Sequence, residues 1–380
     1  ALEGWRGVCA LLVAVLHFRN HIVSHLDAVP LVTNSYLLVD FFFVLSGFVI
    51  SHAYAERLSN VRDLGWFAVR RFGRLWPLHA TVLLVWAALE LARLFAGHHS
   101  SNLVVHAAFT ESRAPAGLTA GLLLLNGLTS WPGALWNVPS WTISVEFWTY
   151  LVFALTCLLP ARGRHLAAVA LCLLGPAILI IAGVRLDTFG YGFFRCIYGF
   201  FLGSLTYAAY RRFRGRALRC PTLIEGVILA LMVAFLMMVR RDLLPMVAPL
   251  LFAGAVYVFA FESGAFSRAL RSRPMERLGT WSYSIYLVHF LILVLLVTAI
   301  RAAGRALGAD NVAAQDPSGA FQRVLLGNAY AMDLIALGYL AVVIWIAAIA
   351  CRRIEDPGRR YFNALAVRIF RCRAEVASPQ

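Results

Sequence analysis

Residues 36–55 read Tyr36-Leu-Leu-Val-Asp40-Phe-Phe-Phe-Val-Leu45-Ser-Gly-Phe-Val-Ile50-Ser-His-Ala-Tyr-Ala55, a run with one carboxylate and no guanidinium. About 20 apolar residues in a helix is what the ~30 Å hydrocarbon core of a bilayer requires. Similar stretches lie near 5–24, 77–96, 141–160, 166–184, 192–210, 222–240, 244–262, 281–300 and 329–351. The composition agrees: of 380 residues, 61% are hydrophobic and only 14% charged, with a mean hydropathy of +0.75. A soluble domain carries about 25% charged residues, so an ordinary soluble enzyme is excluded. A disordered chain would lack this apolar content. An outer-membrane barrel would show alternating segments of about ten residues. The fold class expected is all-α, a polytopic transmembrane helical bundle of about ten crossings. The apolar piece 117–130 is short and bounded by Gly and Pro, and is read as interfacial or re-entrant.

The formal charge is +15, and every basic residue other than histidine is an arginine. Such an excess suits nucleic acid or the positive-inside bias of membrane loops. The arginines cluster in alternate loops, at 57–74, 162–164, 211–219, 268–277 and 352–373, which favours the second reading and no nucleic-acid partner. They place both ends of the chain in the cytoplasm and 97–140 mostly outside. The expected organisation is a transmembrane domain over 1–351 and a basic cytoplasmic tail over 352–380, lying against inner-leaflet lipids. The start of the chain lacks a signal-peptide n-region and cleavage site. The seven cysteines follow no zinc or CxxC spacing, so no structural disulfide is expected. His98-His99 is a weak metal signal, and without HExxH or a facial triad no metal is expected.

Ionisable groups at membrane depth are costly and therefore functional candidates. Arg6 and His17 are eleven residues apart, close to three turns, so they share a face about 16 Å apart along the axis. The alternative is that Arg6 snorkels and His17 only packs. Asp40 falls at a depth similar to His17, where a carboxylate could orient an imidazole. It also suits a helix N-terminus by charge alone. Glu146 lies about one and a half turns into the span 141–160, which follows Asn137-Val-Pro-Ser140, again at that level. Asn137, Ser140, Trp141 and Tyr150 are candidate substrate-binding side chains, although tryptophans also form interfacial belts. Ser46-Gly47 reads as close helix packing rather than a nucleophile. Arg195 reads as structural, paired with a carboxylate such as Asp333.

Arg71 and Arg74 share a helix face, and paired guanidiniums beside the inner surface suit phosphate groups. With Arg6, Arg70 and His289 they compose an inner anion site. His17, Asp40 and Glu146 compose an outer general-base site. His79 is free to support either level. This separation suggests a group donor arriving from inside and an acceptor from outside.

Five stretches in this order resemble the acyltransferase-3 family of bacterial integral membrane O-acyltransferases. They are Arg6-x10-His17, Val39-Asp-Phe-Phe-Phe-Val-Leu-Ser-Gly-Phe48, Arg70-Arg-Phe-Gly-Arg-Leu-Trp-Pro77, Pro139-Ser-Trp-Thr-Ile-Ser-Val-Glu146 and Ser282-Tyr-Ser-Ile-Tyr-Leu-Val-His289. Ile354-Glu-Asp-Pro-Gly-Arg-Arg360 looks like the family's usual ending. His289 is followed by Phe290-Leu291 where relatives often have Trp-Pro. The resemblance implies acyl transfer from acyl-CoA as co-substrate, commonly acetyl-CoA, to a hydroxyl of an extracytoplasmic or membrane-linked glycan. It implies a multi-pass protein of the bacterial inner membrane. Small-molecule acceptors such as macrolides are the alternative within the family. On this reading Arg6, Arg70, Arg71, Arg74 and His289 bind the donor. His17 is the general base, oriented by Asp40 or Glu146, with an acyl-histidine intermediate as the rival path. A transporter or flippase also needs buried charge, but would not turn over acyl-CoA.

Overall fold

The computed structural model describes residues 1–95, 109–110, 113–128, 136–184, 190–215, 218–240, 244–306, 308, 312–315 and 322–370. In chain order the helices are α1 (Leu2–His21), α2 (Pro30–Thr33), α3 (Leu38–Tyr54), α4 (Val61–Phe95), α5 (Pro115–Leu122), α6 (Trp141–Cys157) and α7 (Ala161–Ile181). They continue with α8 (Gly192–Phe213), α9 (Pro221–Met238), α10 (Ala248–Phe259), α11 (Ala265–Leu270), α12 (Arg273–Ala306), α13 (Ala329–Ala350) and α14 (Asp356–Phe370). Two short antiparallel strands, β1 (Val312–Gln315) and β2 (Gln322–Val324), join α12 to α13.

Each of the ten apolar stretches forms a helix. Among the described residues, six helical segments are long and apolar enough to cross a membrane: Pro30–Tyr54, α4, α7, α9, α12 and the continuous Ala329–Phe370. The other four stretches fall short by length or charge. Helices α6 and α10 have 17 and 12 residues, while α1 and α8 carry arginines. Helices α7 and α9 turn large apolar side chains outward, including Leu166, Leu173, Leu223 and Leu231. In a polytopic bundle that surface is what lipid covers.

Two helix pairs build the centre. Helices α3 and α8 touch backbone to backbone, because a Cβ on Gly47 would stand 1.8 Å from the Phe200 carbonyl oxygen. One on Gly203 would stand 1.9 Å from that of Val44. Ser46-Gly47 thus permits the close packing expected, and the approach aims Ser46 inward. Helices α1 and α12 run side by side in the same direction. Glu3 lies against Gly279 at one end, and His17 lies against His289 further along.

Helix α4 has 35 residues, about 52 Å at 1.5 Å each, more than a bilayer core needs. Pro77 divides it. The part before Pro77 carries Arg70, Arg71 and Arg74 and is flanked by α14, whose Phe362 and Phe370 rest on Gly73 and Gly65. Residues 356–370, expected to lie along the inner surface, are therefore packed on α4. A π-helical turn, Cys351–Glu355, joins α13 to α14.

The segment containing α5 enters and leaves on one side. Trp76 Nε1 donates to Leu122 O at its tip, at 2.9 Å, and Trp136 Nε1 donates to Ala114 O where its two ends meet, also at 2.9 Å. Eight helical residues are too few to cross a bilayer core by themselves. One turn carbonyl, Leu124 O, accepts from both Ser144 Oγ and Trp148 Nε1. Irregular backbone at this depth needs such partners.

Candidate functional site

Arg71 and Arg74 do share a face of α4, and α1 brings Arg6 beside them. The three line both of two adjoining cavities. One, with about 780 Å³ of empty space, is polar and bordered by Glu3, Glu355, Asp356 and Arg359. The other, about 820 Å³ with its mouth included, runs into the bundle past Tyr283 and Ser46 to Glu146, Tyr150, Thr142 and Tyr286.

Each arginine is held differently. Arg74 donates to the Glu355 carboxylate and lies over the Tyr283 ring, 5.2 Å from its centroid. The second oxygen of Glu355 accepts from Ser284 Oγ at 2.7 Å. Arg71 donates to Tyr54 OH at 3.0 Å, while its Nε–H is buried with no partner in the protein. Arg6 lies 3.7 Å from Glu3. Arg70, expected in this cluster, points elsewhere and covers the Trp66 ring at 4.6 Å. It precedes Arg71 by one position, which on a helix turns a side chain about 100° away.

At the inner end of the cavity that runs into the bundle, Glu146 Oε1 accepts from Ser46 Oγ at 2.6 Å and from Tyr150 OH at 2.5 Å. Ser46 and Tyr150 are also 2.9 Å apart. Glu146 and Tyr150 are four residues apart on one face of α6. The close α3–α8 packing supplies Ser46.

Asp40 is not with His17. Both its oxygens are taken by Arg195, Oδ1 by Nε and Oδ2 by a terminal nitrogen, each at 2.8 Å. The Arg195 guanidinium also donates to Tyr36 O and lies 5.8 Å from the Trp141 ring centroid. A carboxylate in a bidentate buried pair is committed to that pair. Asp333, the partner expected for Arg195, instead accepts from His25 Nδ1 at 2.6 Å. Shared depth placed Asp40 and His17 together; helix rotation separates them.

The group actually beside His17 is His289, expected among the inner arginines. His289 Nε2 lies 3.3 Å from His17 Nδ1. His289 is fully buried and His17 half-buried. Neither lines the cavity that runs into the bundle. Tyr286, one turn before His289 on α12, lines it and stands 5.9 Å from the His289 ring. On the other side Phe290 meets His17 edge-on at 5.6 Å and Trp86 at 6.4 Å.

Asn137, Ser140 and Trp141 serve the frame and line neither cavity. Asn137 Nδ2 donates to Leu287 O at 3.0 Å, and Ser140 Oγ donates to Asn137 O at 2.6 Å. Trp141 packs on Phe43 and under Gly192. Tyr150 alone of the four reaches the cavity. His79 holds the α5 segment through Gly121 O at 2.9 Å.

Sequence reasoning missed Ser46, Tyr283, Tyr286 and Glu355. The spacing Tyr283-x-x-Tyr286-x-x-His289 puts those three on one helix stripe and was a usable signal. Glu355 was visible only as part of the tail motif. Among the described residues no three His, Cys, Asp or Glu groups stand ready for a metal, and the described cysteines are free. His98-His99 and Cys372 lie outside the described residues.

Residues 1–351 match the family described as an acyltransferase domain. A curated relative, "Acyltransferase MdmB" of Streptomyces mycarofaciens, is 25% identical over 380 aligned positions covering 90% of each chain. "Protein 2 in picA locus" of Rhizobium radiobacter is 33% identical over 157 residues, 40% of this chain and 79% of its own length. No solved structure matches the chain.

Proposed function

Because this chain belongs to the acyltransferase-domain family matched over residues 1–351, we propose that it is an inner-membrane O-acyltransferase. It moves an acyl group, acetyl in the first instance, from cytoplasmic acyl-CoA to a hydroxyl of an extracytoplasmic or membrane-linked glycan. The observation that carries this reading is the meeting of two cavities at Arg6, Arg71 and Arg74. The polar cavity suits the phosphates of CoA, because guanidiniums form charge-assisted bonds to phosphate oxygens. The unpartnered Arg71 Nε–H is a donor waiting for such an oxygen. The second cavity suits the uncharged pantetheine arm and thioester. The arginine asymmetry of the loops supports an inward-facing donor site and about ten crossings.

A free hydroxyl is a weak nucleophile near neutral pH. In the proposed reaction His17 takes the hydroxyl proton as the oxygen attacks the thioester carbon. The new C–O bond forms, the C–S bond breaks, and the proton passes to the departing thiolate. Tyr286 is the wall between cavity and imidazole pair, so the acyl group reaches His17 by passing it.

A second reading has Glu146 as the base, since it borders the cavity directly and His17 does not. The two differ in one comparison: His17→Ala abolishes transfer on the first, and Glu146→Gln does so with His17 intact on the second. The test of the whole proposal is binding of acetyl-CoA to detergent-purified protein, against the Arg71→Ala/Arg74→Ala double variant. Binding that the double variant loses supports the donor site. A folded protein that binds no acetyl-CoA, longer acyl-CoA or free CoA refutes it.

A further inference from the structure

The buried pair His17–His289 has a feature that the proposed reaction does not itself require. His289 Nδ1 lies 3.2 Å from Ile285 O, the carbonyl one turn back. A carbonyl only accepts, so that nitrogen carries the proton. A neutral imidazole has one N–H, and His289 Nε2 is therefore a bare acceptor. Facing it at 3.3 Å is His17 Nδ1, which also lies 2.9 Å from Val13 O. Two acceptors converge on this one nitrogen, so it carries the His17 proton. The lone pair of His17 is left on Nε2, directed away from both.

We infer that His289 is a positioning residue for His17, accepting its Nδ1–H so that Nε2 is held as the bare nitrogen that takes the acceptor's proton. This rests on the reading of His17 as the base. Without His289, Val13 O alone would favour the same tautomer, but the ring could turn over and exchange Nδ1 for a carbon. The second acceptor closes that option. It also accepts more strongly as His17 becomes an imidazolium, where a hydrogen bond to a charged donor outweighs a neutral one.

The surroundings keep His289 in place. Its own carbonyl accepts from Tyr339 OH at 3.1 Å, tying α12 to α13. Two residues earlier, Leu287 O accepts from Asn137 Nδ2 at 3.0 Å. These bonds fix the stretch of α12 that aims the imidazole, and they give Asn137 a role one step from the chemistry. A ring that served packing alone would not need to present its one bare nitrogen to another imidazole.

The experiment measures CoA release from acetyl-CoA by the detergent-purified full chain, with water as the acceptor, alongside acetyl-CoA affinity. His289→Leu keeps volume and removes the acceptor; His289→Gln restores an acceptor oxygen at the reach of Nε2. The expected result is a fall in kcat on the order of 10- to 100-fold for His289→Leu, unchanged acetyl-CoA affinity, and recovery of most of the loss in His289→Gln. Wild-type kcat in His289→Leu overturns the inference. So does equal loss in both variants with weakened acetyl-CoA binding. Activity retained by His17→Ala would instead refute the base itself, whatever His289 does. Should the variants not fold, or turnover to water be too slow to read, ¹⁵N-histidine NMR of the wild-type protein decides. It should show His17 protonated on Nδ1 with Nε2 bare, and the opposite tautomer overturns the proposal.

Discussion

Replacing Asp40 by Asn should destabilise this protein without touching donor binding. The carboxylate has no exposure, and the Arg195 side chain is 5% exposed. Two bonds of 2.8 Å join them. The amide keeps the shape and removes the charge, so Arg195 is left as a buried cation facing a weak acceptor. Breaking one partner of a buried ion pair costs about 3–5 kcal/mol, whereas replacing both by apolar groups is often neutral. Asp40→Leu with Arg195→Met should therefore recover most of the loss, short of the ~0.5–1 kcal/mol of cation–π contact with Trp141. The cysteines supply the assay. Cys220 is exposed, while Cys9, Cys157, Cys172, Cys196 and Cys351 are buried. In a Cys372→Ser background a thiol-reactive dye should label Cys220 at once and the buried sites only on unfolding, and the temperature of that second phase reports stability in detergent. Asp40→Asn should lower it sharply, and the double variant should restore it with acetyl-CoA affinity intact. An Asp40→Asn protein as stable as wild type, yet inactive, would refute the argument and return Asp40 to the chemistry.

Arg71→Ala and Arg74→Ala should each weaken acetyl-CoA binding by roughly 10- to 100-fold, the worth of one or two charge-assisted bonds, measured by calorimetry; equal affinity would leave them to lipid and topology. Arg70→Ala, whose side chain covers Trp66, should leave that affinity within about twofold if it changes nothing but a cation–π contact. Glu355→Gln should lower the unfolding temperature, since Arg74 and Ser284 lose their shared carboxylate, while acetyl-CoA binds no more weakly because Arg74 loses a competitor. A clear drop in affinity would mean that Glu355 aims Arg74 at the ligand. Gly47→Val should abolish folded protein, since its Cβ alone meets the Phe200 carbonyl at 1.8 Å; normal yield on size exclusion would show that α3 and α8 are not in backbone contact.

The helices were legible because sustained apolar runs between arginine-rich loops read as helix, and the arginine pair was legible because a spacing of three fixes a shared face. What failed was rotation between helices. Asp40, His17 and Glu146 lie at similar depths, but depth is one coordinate of three. The glycine contacts that turn α3 toward α8 also turn Asp40 toward Arg195 and Ser46 toward Glu146. That is a property of two helices together, and neither sequence alone contains it. His289 was misplaced for a related reason. Counting turns from the inner surface ignored that α12 has 34 residues and starts well before its apolar part, so the histidine stands beside His17 rather than beside Arg6. Glu355 was hidden by its π-helical turn, where the extra residue re-aims the side chain relative to an ordinary helix.

On the proposed reading, the division of the site between two environments follows from what each half of an acyl-CoA costs to move. A phosphate group carries charge that a bilayer interior opposes by at least several kcal/mol, and CoA has three. On the proposed reading these remain at the polar cavity, where Arg6, Arg71 and Arg74 meet them at the end of the bundle and Glu355 satisfies Arg74 when the cavity is empty. The pantetheine arm and acyl group are uncharged, so the bundle need only bury amides and a thioester. Beyond the three arginines it shares with the polar cavity, the second cavity then supplies hydroxyls and one carboxylate. The imidazole pair beyond Tyr286 is buried among Phe290, Trp86 and Tyr339, where bulk water would otherwise compete with the acceptor for the thioester. An enzyme that must bring a charged donor from one side of a membrane to an acceptor on the other can leave the charge behind. Placing guanidiniums at the entrance and a neutral base within is the arrangement that allows it.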